Sequence, residues 1–124
     1  MPTTDAFRGL VCTATGDGYG ATATGDSDAG ARLDADYDYG GLDRPTGWVA
    51  DDRRSMWRYG DLLAFEAPVT AGEGGTPIVD APGLASEAGI AGLSIKDESR
   101  NPTGTILDRG LSTAVTAARE ADAD

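Results

Sequence analysis

The chain has 124 residues, enough for one small domain, with 40% hydrophobic residues and a formal net charge of −11 from 21 acidic and 10 basic side chains. That balance excludes a basic groove for nucleic acid, which needs clustered positive charge, and disfavours contact with anionic membranes. There is no histidine and one cysteine, Cys12, so a Ser-His-Asp triad and an internal disulfide are both excluded.

In chain order, residues 1–41 are polar, Gly-rich and short of large apolar side chains. Arg8 to Cys12 reads as a short strand. Arg32 to Tyr39 alternates Leu33, Ala35, Tyr37 and Tyr39 against Arg32, Asp34, Asp36 and Asp38, a period of two that predicts a half-exposed strand. Residues 42–75 read as a linker around a short helical turn. Gly40 to Arg54 is loop-like, and Ser55 to Phe65 holds aromatics expected to pack in a core, as are both Trp48 and Trp57. Ala71 to Pro77, AGEGGTP, reads as a flexible connector.

Residues 76–124 carry sharper signals. TPIVDA predicts a strand, and PGLASEAG predicts a helix opened by Pro82 and stopped by Gly89. Gly92 to Glu98 predicts a second strand, SRNPTG a loop, and Thr105 to Glu120 a second helix. In that helix Leu107, Leu111, Ala114, Val115 and Ala118 fall on one stripe, which amphipathic spacing assigns to the core. Thr105 with Asp108 three residues on is spaced as a capping box with a shortened acid. Strand, helix, strand and helix in succession predict an α/β fold.

The stretch KDESRNPTGTILDRG, Lys96 to Gly110, resembles the cofactor-attachment segment of threonine synthases, in the fold-type II group of pyridoxal-phosphate enzymes. Lys96, Asp97, Glu98, Asn101, Pro102, Thr103, Gly104, Thr105, Asp108, Arg109 and Gly110 stand in register with that family's pattern. The upstream MWRYGDLL and GEGGTPIVDAPGLASEAGI match its approach to the site in order and spacing. More faintly, Cys12-Thr13-Ala14-Thr15-Gly16 and Asp26-Ser27-Asp28-Ala29-Gly30 resemble the two knuckles of a zinc ribbon that opens many family members. The resemblance therefore implies an α/β fold made of a partial fold-type II N-terminal region, preceded by a degenerate zinc-ribbon-like β segment.

It also implies a chemistry, from which the residues depart. The family converts O-phosphohomoserine and water to threonine and phosphate, using pyridoxal phosphate held by a lysine as a Schiff base. Leu107 occupies that lysine position, and leucine has neither an amine nor a proton to transfer. Lys96 lies on the preceding strand, where the family has a lysine as well. The family's Gly-rich cradle for the cofactor phosphate follows the lysine helix, beyond these residues.

The expectations are accordingly no catalytic residue and no cofactor for this chain, with Asn101, Thr105, Asp108 and Arg109 as vestiges of a cofactor site. No metal is expected, because Cys12 alone of four ribbon thiols is present and structural zinc takes four ligands. The function expected is a truncated or diverged threonine synthase-like protein without catalysis of its own. The alternative is a binding or regulatory module on a full-length relative. Partners are expected to be a homo-oligomer or such a relative, with no nucleic acid and no membrane.

The acids are scattered rather than grouped in a run, which predicts a solvated surface adapted to concentrated salt. With no signal-peptide pattern and no run near the ~20 apolar residues of a membrane span, a soluble cytoplasmic protein is expected.

Overall fold

The computed structural model describes residues 3–42 and 53–123. Trp48 and most of the Gly40 to Arg54 loop expectation lie outside the described residues.

Strands β1 (Phe7–Cys12), β2 (Gly18–Tyr19) and β3 (Leu33–Tyr37) form a three-stranded antiparallel sheet in the order β2-β1-β3. Both strands expected in this third of the chain are present, with β3 shorter at each end than the alternation suggested. The β1–β3 register shifts between Phe7 and Gly9. Gly9 sits at φ 122°, and a Cβ there would fall 2.7 Å from the Tyr19 carbonyl oxygen, so the bulge requires glycine. Phe7 packs on Tyr37 with centroids 5.3 Å apart and on Phe65 at 6.3 Å. The Thr4 amide donates to the Ala64 carbonyl at 3.0 Å, which ties the sheet to the next segment.

That segment is a 3-10 helix, Met56–Leu62, capped by the Ser55 hydroxyl accepting from the Trp57 amide. Trp57 is buried, as its size predicts, and so are Ala64 and Phe65. The connector at 71–77 is anchored by two buried residues, Glu73 and Thr76, while residues 71, 72, 75 and 77 are exposed. Glu73 is 2% exposed, and the Met56 amide donates to its carbonyl at 2.8 Å. Gly75, at φ 59°, lies so close to the Arg54 backbone that a side chain has no room. Gly74 and Gly75 serve close backbone approach.

Next come β4 (Ile78–Asp80), α1 (Pro82–Ala88), β5 (Ser94–Lys96), a 3-10 turn (Glu98–Arg100) and α2 (Leu107–Glu120). The mixture of strands and helices is consistent with the expected α/β class. β4 and β5 pair antiparallel, with Val79 opposite Ile95, so the helix between them spans a two-stranded ladder. Pro82 opens α1, and Gly89, left-handed at φ 67°, ends it as predicted. The 3-10 turn is capped by Asp97, whose carboxylate accepts from the Ser99 amide at 3.1 Å.

Helix α2 departs from expectation in two ways. It begins at Leu107, not Thr105, and the capping box is rearranged. The Thr105 hydroxyl does accept from the Leu107 amide at 3.2 Å, but Asp108 turns back to Thr103, taking its amide at 2.8 Å and its hydroxyl. The helix also faces the other way round. Leu107, Leu111 and Val115 are 65%, 54% and 49% exposed, and Ala114 and Ala118 are exposed too. The buried stripe is Asp108, Ser112 and Thr116. The assignment of Leu107 and its stripe to the core is therefore overturned. The reason is that the segment before the connector offers backbone polar groups that only a polar helix face can satisfy. Ser112 donates to the Val69 carbonyl at 2.7 Å, and the Val69 amide donates to Thr116 at 2.8 Å.

No helix of the described residues is long and apolar enough to cross a membrane.

Candidate functional site

The junction from β5 to α2 holds every residue nominated from the sequence, and its hub is one that was not. Glu98 lies at the start of the 3-10 turn, which aims its carboxylate back toward the connector. Arg109, one turn into α2's first residues, donates Nε to Glu98 Oε2 and Nη2 to Glu98 Oε1, both at 2.8 Å, a two-pronged charge-assisted pair. Thr76 donates to the same carboxylate at 2.6 Å and Asn101 Nδ2 at 2.8 Å. The Arg109 guanidinium, then Thr76, hold the Glu98 carboxyl well below the usual carboxylate range. The pair is largely shielded, with side chains 27% and 21% exposed.

Asn101 is buried, and its Oδ1 accepts from the Gly74 amide at 2.9 Å. Asp108 is buried against Thr103, and Thr105 holds the Leu107 amide. The four nominated residues thus converge on one loop, but each is engaged within the protein. Together they fix the 97–106 loop against the connector and the first turn of α2.

A second buried acid sits nearby. Glu73 accepts from the Trp57 indole at 2.6 Å, from Thr70 at 2.9 Å and from the Ala71 amide at 2.9 Å. Burial opposes its ionisation, but hydrogen bonds, first from the neighbouring Ser112 hydroxyl, outweigh that and hold its pKa at about 2. Neither Glu73 nor Glu98 stood out in the sequence. Glu98 was at least visible as the third residue of the KDE run, whereas Glu73 lay in a stretch that read as a flexible connector.

Leu107 projects outward from the first turn of α2. The only lysine, Lys96, sits at the end of β5 and donates Nζ to the Thr76 carbonyl at 2.9 Å. Pyridoxal phosphate needs an amine to be held as a Schiff base, and the residues around the α2 start offer none. Leu107 therefore offers that cofactor no Schiff-base anchor.

At the other end of the molecule Cys12 is buried, with Ser27 Oγ at 3.1 Å and the Thr15 amide donating to its sulfur at 3.4 Å. Ser27, then Thr15, lower the thiol to about 7. Among the described residues no three His, Cys, Asp or Glu side chains gather as a metal site would require.

The model of the pyridoxal-phosphate dependent enzyme family matches residues 69–124, which contain the connector, both strands of the second sheet and the Glu98–Arg109 junction. The chain carries a partial threonine synthase-like region. It is 42% identical to the threonine synthase of Methanosarcina acetivorans over 89 residues, covering 71% of this chain and 22% of that protein. It is 35% identical to that of Methanocaldococcus jannaschii over 96 residues, 73% of this chain and 24% of the relative. With the enzyme of Mycobacterium leprae it shares 49% over 51 residues, 41% of this chain and 14% of the relative. The chain thus spans under a quarter of the length of the curated relatives it matches. No solved structure matches it.

Proposed function

We propose that these 124 residues form a threonine synthase-like unit that performs no catalysis by itself. One observation carries this reading: where the resemblance places the Schiff-base lysine, α2 presents the exposed side chain of Leu107. The surrounding scaffold of Asn101, Glu98 and Arg109 is joined by hydrogen bonds, which supports a loss in the reacting atom and not in the frame. The paired loops that bring Ser27 to Cys12 support descent from a ribbon whose metal ligands have been replaced.

The test is incubation of the purified chain with pyridoxal phosphate, followed by visible absorbance, borohydride reduction and mass mapping. No stoichiometric adduct and no threonine from O-phosphohomoserine are expected. An adduct at Lys96 accompanied by threonine formation would overturn the reading.

A second reading, a binding module acting on another polypeptide, is favoured by the outward apolar stripe of α2.

A further inference from the structure

Among the described residues, every exposed large apolar side chain except Tyr39 and Tyr59 lies between Val69 and Val115, inside the segment that matches the pyridoxal-phosphate dependent enzyme family. They fall on the β4–β5 pair, on α1 and the turn after it, and on the outer stripe of α2. A concentration of this kind marks an interaction surface more than an ordinary exterior. Between Val69 and Pro102, a groove of ≈250 Å³ runs along α2 and is lined also by Leu111 and Val115.

The stripe cannot be hidden by rolling the helix. Such a roll would break the bonds from Asp108 to Thr103, Ser112 to Val69 and Val69 to Thr116, and would leave their polar atoms without partners. The strand pair is open as well. Among the described residues β4 and β5 have one strand neighbour each, so both outer edges are open there, with Ile78, Val79 and Ile95 exposed beside them.

A second copy of this chain is one occupant, although it would bring another net charge of −11 against the first, a repulsion that concentrated salt screens. The relatives point to a better one. More than three quarters of each lies outside the portion matched here. We propose that the outer stripe of α2 and the open β4–β5 pair receive a polypeptide carrying that remaining portion of a threonine synthase-like domain. The partner supplies apolar side chains to the groove and further strands to the sheet edge. This inference rests on the threonine synthase-like reading above and gives it a docking face.

The test uses refolding. The portion of the Methanosarcina acetivorans enzyme outside the matched 89 residues is diluted from denaturant in concentrated salt, with or without the 124-residue chain. The chain is expected to raise the yield of soluble material and to co-elute with it as a one-to-one complex. The doubly substituted Leu111→Glu, Val115→Glu chain, which should melt as the parent does, is expected to bind at least about tenfold more weakly. Equal yields with and without the chain would overturn the proposal, as would a marked loss of stability in the substituted chain alone. A homodimer of the parent broken by the same substitutions would overturn it in favour of a second copy. Threonine formation by the complex would count against the non-catalytic reading while leaving the docking face standing.

Discussion

The indole Nε1 of Trp57 lies 2.6 Å from Oε1 of Glu73, so the largest buried side chain of the first 3-10 helix is held by a carboxylate from a glycine-rich connector. Ser112 on α2 lies 3.0 Å from the same indole nitrogen. Three stretches distant in sequence therefore meet at one point, and its removal tests whether they depend on one another. Glu73→Ala would leave the Thr70 hydroxyl and the Ala71 amide without their acceptor, and the indole with Ser112 alone. A loss of about 1–3 kcal/mol is expected. Urea titration followed by Trp57 fluorescence, in a Trp48→Phe background, measures it.

The acid limb of the stability curve follows from the same carboxylates. Glu73 titrates at about 2 in the folded chain against an ordinary value of 4.5, and Glu98 is also lowered. As pH falls below about 4.5 the unfolded chain therefore binds protons before the folded one does. The stabilisation is complete above that pH and is lost progressively toward pH 2. Thermal melts across this range should show a falling midpoint. Glu73→Gln should flatten the fall, while an unchanged slope would show that Glu73 is not held as described.

Helix α2 reverses the usual ranking of core and surface substitutions. Thr116 is fully buried and accepts the part-buried Val69 amide, so Thr116→Val keeps the shape but leaves that donor without its acceptor. A cost of about 1–3 kcal/mol is expected. Leu111→Ala removes a large apolar side chain that is 54% exposed, and should change stability by no more than about 0.5 kcal/mol in the lone chain. Denaturant midpoints of the two variants decide the matter, since the opposite order would mean the helix faces the way its hydrophobic spacing suggests.

The thiol of Cys12 should titrate near neutrality. Its pKa is lowered from 9.0 to about 7, chiefly by Ser27 and then by Thr15. Ser27→Ala removes the leading cause and should return the thiol toward its ordinary range. Thiolate absorbance in the ultraviolet against pH reads this directly, and the same midpoint in both proteins would exclude the role given to Ser27.

The sequence by itself determined several of the elements and the apolar side chain at residue 107. β1, the helix Pro82–Ala88 with its Gly89 stop, a strand inside Gly92 to Glu98 and the start of α2 within two residues follow from alternation, caps and glycine stops, which act locally. The absence of an amine at Leu107 is likewise a property of the chain alone. Tertiary structure decided which face of α2 turns inward, because periodicity identifies an apolar stripe but not what covers it. Here Val69, Thr103 and Glu73 present polar groups to the helix, and satisfying them outweighs burying Leu107, Leu111 and Val115. The hub at Glu98 and the anchor at Glu73 were also settled there, since a carboxylate's burial depends on donors that residues distant in sequence bring to it.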